Sequence, residues 1–252
     1  MNTRDTTMSG TADAGPAPRA PAWVRAIAPY VPGKPIEELA RELHLDPATI
    51  VKLASNENPR GASPKALAAI REAAHDLTRY PDGSGFALRS ALSQFHGVGP
   101  ERIVLGNGSN DVLEMVAAAF LTPGDEAVYA QYAFAVYPLA TRARGATGVE
   151  VPARDYGHDL GAMRAAITPR TRVVFVANPN NPTGTWVASE AIAEFVASVP
   201  REVVVVLDEA YDEYLPQEGR SPSIGWVVRH PNLVVTRTFS KAYGLAALRI
   251  GY

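Results

Sequence analysis

Two short runs, Val173-Val-Phe-Val-Ala177 and Val203-Val-Val-Val-Leu207, constrain this chain more than any other feature. A strand with one wet face alternates apolar and polar residues. A run that is apolar at every position has to be buried on both faces. Such strands lie inside a mostly parallel sheet with helices on either side. Further apolar runs occur at Ile103–Leu105, Ala127–Ala130, Thr147–Val151 and Leu233–Thr236. They alternate with helical stretches at about Asp111–Leu121, Ala133–Arg142, Leu160–Ala166, Ser189–Val199 and Ile224–Arg229. The expected class is therefore α/β. No internal repeat is visible.

The first hundred residues read differently. Residues 1–22 are rich in Thr, Ala, Gly and Pro and lack the apolar stretch of a secretory signal, so a disordered tail is expected. Asp5 and Asp13 argue against an organelle transit peptide. Trp23–Tyr30 and Ile36–Leu45 read as short amphipathic helices separated by Pro29, Pro32 and Pro35. Val51–Ala54 is a short extended run leading into Ser55-Asn-Glu-Asn-Pro59. Ser63-Pro64 opens a helix to about Ala74, with serine as N-cap and proline at the first helical position. Another helix covers Phe86–Phe95.

Bulk properties exclude several function classes. At 252 residues, 46% hydrophobic and 20% charged, the chain has ordinary soluble globular composition. A net charge of −2 calls for neither nucleic acid nor an anionic membrane surface. No apolar run approaches a membrane span. The chain has no cysteine, hence no disulfide, no thiolate metal site and no cysteine nucleophile. That fits a reducing cytosol, and a cytoplasmic location is expected. None of the five histidines has metal-ligand spacing, and no Ser/His/Asp constellation is evident, so no metal site is expected.

In open α/β sheets ligands bind beyond the carboxyl ends of the strands. The polar residues of interest cluster at those ends: Gly106-Asn-Gly-Ser109-Asn110, Asn178-Pro-Asn-Asn181-Pro-Thr-Gly184, Asp208-Glu-Ala-Tyr211 and Thr238-Phe-Ser240-Lys241. Lys241 lies among hydroxyl residues, with Arg249 eight positions later. That suits a lysine holding an aldehyde cofactor as a Schiff base, with hydroxyls and an arginine for its phosphate. Asp208 ends a buried run, and a buried carboxylate needs a charged or donor partner, which a pyridinium N–H would supply. Taken alone, Asp208 reads equally well as a cap of the segment that follows. Asn181 and Tyr211 can both hydrogen-bond a phenolate oxygen, although Asn-Pro-Thr-Gly is also ordinary turn chemistry and tyrosine commonly packs its ring. The glycine-rich turn before Ser109 lets a backbone approach an anion at a helix N-terminus. Its spacing matches neither a dinucleotide fingerprint nor a P-loop. Tyr132 could lie on a flat heterocycle or simply pack in the core.

Together the segments Leu53-Ala-Ser-Asn-Glu-Asn-Pro59, Tyr80-Pro-Asp-Gly-Ser-Gly85, Gly106-Asn-Gly-Ser-Asn-Asp111, Asn178-Pro-Asn-Asn-Pro-Thr-Gly184, Asp208-Glu-Ala-Tyr211 and Arg237-Thr-Phe-Ser-Lys241 are similar to the fold-type I pyridoxal-phosphate aminotransferases. Among these, the chain most resembles the branch that acts on L-histidinol phosphate, over about residues 23–252. The resemblance implies pyridoxal 5'-phosphate as cofactor and transamination of L-histidinol phosphate with 2-oxoglutarate, yielding glutamate, in histidine biosynthesis. It implies that Lys241 carries the Schiff base and moves a proton. Asp208 would pair with the ring nitrogen, Asn181 and Tyr211 would bind the ring oxygen, and Tyr132 would stack on the ring. Ser109, Asn110, Thr238, Ser240 and Arg249 would hold the phosphate. Tyr80 would reach the cofactor phosphate of a neighbouring subunit, which requires a homodimer, and Tyr30 and Asn56 would lie near substrate. The implied organisation is an N-terminal arm and part of a small domain over 23–55, then the large cofactor-binding domain over 56–252. Family members continue past Tyr252 into the rest of the small domain, whose arginines bind the substrate's anionic group. The resemblance therefore marks this chain as incomplete at its C-terminus. An aromatic amino acid aminotransferase on the same fold, and a non-catalytic truncated fragment, are the competing readings.

Overall fold

A computed structural model describes residues 19–252. The expected tail over residues 1–22 lies outside the described residues except for its last four, and Ala22 already begins a helix. Five strands form one parallel sheet: β1 (Glu126–Ala130), β2 (Thr147–Val151), β3 (Thr171–Ala177), β4 (Val204–Asp208) and β5 (Leu233–Thr236). Their spatial order is β2-β1-β3-β4-β5. The two wholly apolar runs are β3 and β4, at the middle of the sheet, as their two-sided burial requires.

Strand alternation divides the core. Val173, Phe175, Val204 and Val206 face one side, where they meet Leu113, Val116 and Ala117 of α5 (Ser109–Phe120) and Tyr137 and Ala140 of α6 (Val136–Ala143). Val174, Val176, Val205 and Leu207 face the other. There they meet Met163 of α7 (Leu160–Ala165), Ile192, Phe195 and Val196 of α8 (Ser189–Ser198) and Trp226 of α9 (Ser223–Trp226). Phe175 is fully buried and stacks on the Tyr137 ring, with centroids 4.8 Å apart and planes 6° from parallel.

The N-terminal elements are α1 (Ala22–Arg25), α2 (Ile36–Leu43), α3 (Pro64–Ala73) and α4 (Phe86–His96). In α3 the Ser63 hydroxyl caps the Ala66 N–H at 3.2 Å, with Pro64 at the first helical position. Several expectations need correction. The helix over Trp23–Tyr30 is a single turn, because Pro29 disfavours helical backbone at the residue before it. Helix α9 is likewise shorter than Ile224–Arg229. Val51–Ala54 forms no strand, and Val51 and Leu53 are exposed. Ile103–Leu105 is extended but joins no ladder; only the adjacent Gly106 forms a bridge, antiparallel to Gly251. No helix among the described residues is long and apolar enough to cross a membrane.

That bridge fixes the start of α5. Gly106 N–H donates to the Gly251 carbonyl at 2.9 Å, and Gly251 N–H donates back at 3.0 Å. A side chain on Gly251 would meet the Ser109 amide nitrogen at 2.2 Å. Gly108, immediately before α5, has φ 85° and ψ 165°, a region open in practice to glycine alone. A Cβ there would lie 2.5 Å from Nη2 of Arg249.

Two outcomes are expected in urea unfolding. Phe175→Ala should lower stability by about 3–5 kcal/mol, the usual cost of deleting a buried aromatic. Gly108→Ala should cost about 1–3 kcal/mol from backbone strain alone, and more if Arg249 cannot move aside.

Candidate active site

Three parallel strands end side by side, and the loops leaving them surround a cavity of about 140 Å³. Ser109 and Asn110 line it from the start of α5, Asn181 from the loop after β3, and Asp208 and Tyr211 from the end of β4. Thr238, Ser240, Lys241 and Arg249 close it from the segment after β5. These nine residues come from stretches spread over more than a hundred positions of sequence.

Asp208 is 5% exposed. It ends β4 on the face toward α6, where Tyr137 Oη donates to its Oδ2 at 2.8 Å. On Oδ1 it receives Thr236 Oγ1 at 2.9 Å and, at 3.3 Å, the Ala210 N–H. Burial pushes the Asp208 carboxyl above its ordinary range, and those three donors pull it back down. The site thus holds a carboxylate that a nearby cation would stabilise. Burial raises the Tyr137 phenol well above its normal value, so it remains a donor.

Lys241 Nζ donates to the Ser55 carbonyl at 2.9 Å and sits 5.7 Å from the centre of the Tyr211 ring. Desolvation lowers its pKa, Glu57 raises it, and Arg249 lowers it further. A larger share of the amine is therefore neutral and nucleophilic than on an exposed lysine. Tyr211 Oη accepts from Asn56 Nδ2 at 3.0 Å, which leaves its own O–H free to donate. Burial is the main cause raising that phenol's pKa, with Tyr30 among the minor ones.

Arg249 occupies left-handed backbone, φ 53°. Its guanidinium donates to Ser240 Oγ (3.2 Å), the Ala246 carbonyl (2.9 Å) and the Asn107 carbonyl (3.2 Å). All three acceptors are neutral, so its charge is available to an anion. Beside it is the N-terminus of α5, where the first N–H groups precede any i−4 carbonyl of the helix and the positive end of the helix dipole lies; of these, Asp111 N–H donates to the Gly108 carbonyl at 3.2 Å. The close approach of Arg249 Nη2 to Gly108 leaves a cradle that a Cβ would fill. Hydroxyls, amides and one cation at one end, with a buried carboxylate at the other, fit a flat phosphorylated ring with a protonatable nitrogen.

Not every expected residue is brought in. Tyr132 does not line the cavity; it is half exposed and its ring lies 5.6 Å from that of Tyr156. Besides Tyr211, the aromatic rings at the wall are Phe134 and Tyr137. Tyr80 is fully exposed, and Tyr30 is largely so. Asn56 lines an adjoining open groove of about 500 Å³, which shares Asn181 and Tyr211 with the cavity. Sequence reading missed Tyr137 and Thr236, the donors to Asp208. It also gave no role to Glu209 and Arg237, which form a buried ion pair behind the site. Tyr137 is 71 positions from Asp208, and nothing in its local sequence marks it. A larger apolar groove of about 380 Å³ between α5 and β5 has few polar groups and no convergent charge.

The model of the aminotransferase class I and II family matches residues 48–252. The chain is 61% identical over 233 residues to the histidinol-phosphate aminotransferase of Methylobacillus flagellatus, covering 92% of this chain and 63% of that protein. It is 64% identical over 236 residues to histidinol-phosphate aminotransferase 1 of Thiobacillus denitrificans, covering 94% and 62%. Among solved structures, it is similar to the histidinol-phosphate aminotransferase of Sinorhizobium meliloti in complex with pyridoxal-5'-phosphate. The TM-score is 0.83 at 31% identity, covering 97% of this chain and 63% of that one. The chain thus spans less than two thirds of the length of these relatives. With the sheet, the strand-end cavity and the family match in agreement, the chain belongs to the class I and II aminotransferases.

Proposed function

We propose that this chain carries the cofactor site of a pyridoxal-phosphate-dependent aminotransferase that moves an amino group between L-histidinol phosphate and 2-oxoglutarate. The observation that carries this reading is the cavity's polarity. A lysine of lowered pKa lies between a buried carboxylate and a cradle for an anion. The high identity to histidinol-phosphate aminotransferases supports the choice of substrate.

Bound pyridoxal phosphate would supply an aldehyde for a lysine amine and a ring that withdraws electrons from the substrate's Cα. The residues do the rest. Lys241 holds the cofactor and moves a proton at that carbon. Asp208, kept in place by Tyr137 and Thr236, accepts a hydrogen bond from the ring N–H and keeps that nitrogen protonated. Tyr211, oriented by Asn56, donates its free O–H to the ring oxygen together with the Asn181 amide. Ser109, Asn110, Thr238, Ser240 and Arg249 bind the phosphate. Tyr132, which stands outside the cavity lining beside Tyr156, would stack on the ring, and Tyr30 would lie at the substrate side near Tyr211.

We further propose a homodimer in a cytoplasmic setting. Helix α3 buries none of its side chains among the described residues, and Leu77, Tyr80 and Phe86 are exposed in the stretch that follows. A second copy covering this stretch would bring Tyr80 to its partner's cofactor. The division into an N-terminal arm over 23–55 and a cofactor domain over 56–252 belongs to the same reading.

Titration with pyridoxal phosphate should give the protein a visible absorbance band that Lys241→Ala lacks. Borohydride reduction followed by peptide mapping should place the label on Lys241, and label on another lysine would overturn the assignment. Assayed with 2-oxoglutarate in a form that extends past Tyr252 to the relatives' length, the protein should prefer L-histidinol phosphate to phenylalanine or tyrosine, and residues 1–252 alone should show little or no turnover. Asp208→Asn should still bind the cofactor but lose roughly 10²–10³ in transamination rate, the scale of one lost preorganised electrostatic partner. Near-normal turnover of this variant in a form that extends past Tyr252 would remove Asp208 from its role.

A further inference from the structure

A buried ion cluster lies behind the cavity, and no step above uses it. Asp208 and Thr236 are register partners, and their side chains meet at the cavity wall. The next residue on each chain segment, Glu209 and Arg237, forms the cluster. Arg237 Nε and Nη2 donate to Glu209 Oε2 at 3.0 and 2.7 Å, and Nη2 lies 3.0 Å from Asp212 Oδ2. Ser223, at the start of α9, donates to Glu209 Oε1 at 2.5 Å. Glu213 Oε1 lies 4.0 Å from Nη1, so three carboxylates surround one guanidinium. Glu209 and Asp212 are each 2% exposed. Burial holds the Glu209 carboxyl up at about 7, against the pull of Arg237.

Such a cluster is a poor source of stability. Desolvating several charges offsets much of their attraction, and apolar residues of similar volume often serve as well. Its placement suggests a different use. Glu209 stands between Asp208 and Tyr211, and Asp212 directly follows Tyr211. Arg237 directly precedes Thr238, the first residue of the segment that carries Ser240 and Lys241. The backbones are joined at the same level, with Glu209 N–H donating to the Thr236 carbonyl at 2.9 Å. Arg237 also exchanges backbone bonds with Tyr252, at 2.7 and 2.9 Å, three residues beyond Arg249.

We propose that Arg237 is a positioning residue. Its guanidinium, gripped by Glu209 and Asp212, locks the segment bearing Asp208 and Tyr211 against the segment bearing Thr238, Ser240 and Lys241. The ring end and the phosphate end of one cofactor are then met together. This rests on the reading of the cavity as a pyridoxal-phosphate site.

The test compares Arg237→Met, Arg237→Lys and Glu209→Gln with the unaltered chain. Three quantities are measured: the dissociation constant for pyridoxal phosphate, the visible circular dichroism per bound cofactor, and Tm. Glu209→Gln keeps the volume and one acceptor oxygen while removing the charge, so it remains informative if Arg237→Met does not fold. Arg237→Met and Glu209→Gln should weaken cofactor binding about tenfold or more, by analogy with residues that orient metal ligands from outside. They should also reduce the dichroism per bound cofactor, because the ring is held less uniformly. Arg237→Lys should recover part of both, since an ammonium keeps the charge but not the two-pronged geometry. A lower Tm with unchanged affinity and dichroism would make the cluster purely structural and overturn the proposal. An unaltered chain that shows no Lys241-dependent binding would instead overturn the reading of the cavity itself.

Discussion

The parallel pairing of β3, β4 and β5 is the constraint on which the site depends. It holds the carboxyl ends of three strands in register: Ala177 beside Asp208, and Asp208 beside Thr236. Loops leaving these ends have nowhere to go but one edge of the sheet. That edge is rigid because β3 and β4 are buried on both faces, so the residues just beyond them inherit fixed positions. A shift of one residue in β4 would turn Asp208 to the face that holds Glu209 and replace it in the cavity with its neighbour.

The electrostatics follow from that geometry. Asp208 is buried because its strand is buried, and it stays usable because Tyr137 and Thr236 satisfy it. The two acidic residues at the end of β4 meet different partners. Asp208 is matched to neutral hydroxyls and, among the described residues, has no cationic partner, whereas Glu209 is matched to Arg237. Arg249 is the converse of Asp208, a guanidinium bonded only to neutral oxygens. A ligand carrying one positive and one strongly negative end would complete both. A structure that had satisfied these charges internally would have no such affinity.

The α5 N-terminus shows how little backbone freedom the anion end retains. Gly108 and Gly251 let two chain segments approach more closely than a Cβ would allow. The cradle is therefore built from backbone, and the residues that matter most to its shape carry no functional group. Side chains join it from Ser109, Asn110, Thr238, Ser240 and Arg249.

The sequence by itself determined the class of fold, because two runs apolar at every position have one stable home, the middle of a covered parallel sheet. It also marked Lys241, Asp208, Asn181, Tyr211, Ser109, Asn110, Thr238, Ser240 and Arg249 as candidates, some because polar residues directly after buried strands lie at the sheet's edge and the rest through the family resemblance of the motifs that hold them. It did not determine Tyr137 or Thr236, because a hydrogen bond across 71 positions leaves no local trace. The chain's start was also hard to read. Around Trp23 and Val51 the amphipathic and extended patterns are real, but neither finds enough packing among the described residues to be completed as a full element. Only the tertiary structure decided which of two adjacent acids faces the cavity and which is clamped behind it. Asp208 and Glu209 both carry a carboxylate, and strand alternation combined with the helix on each face tells them apart.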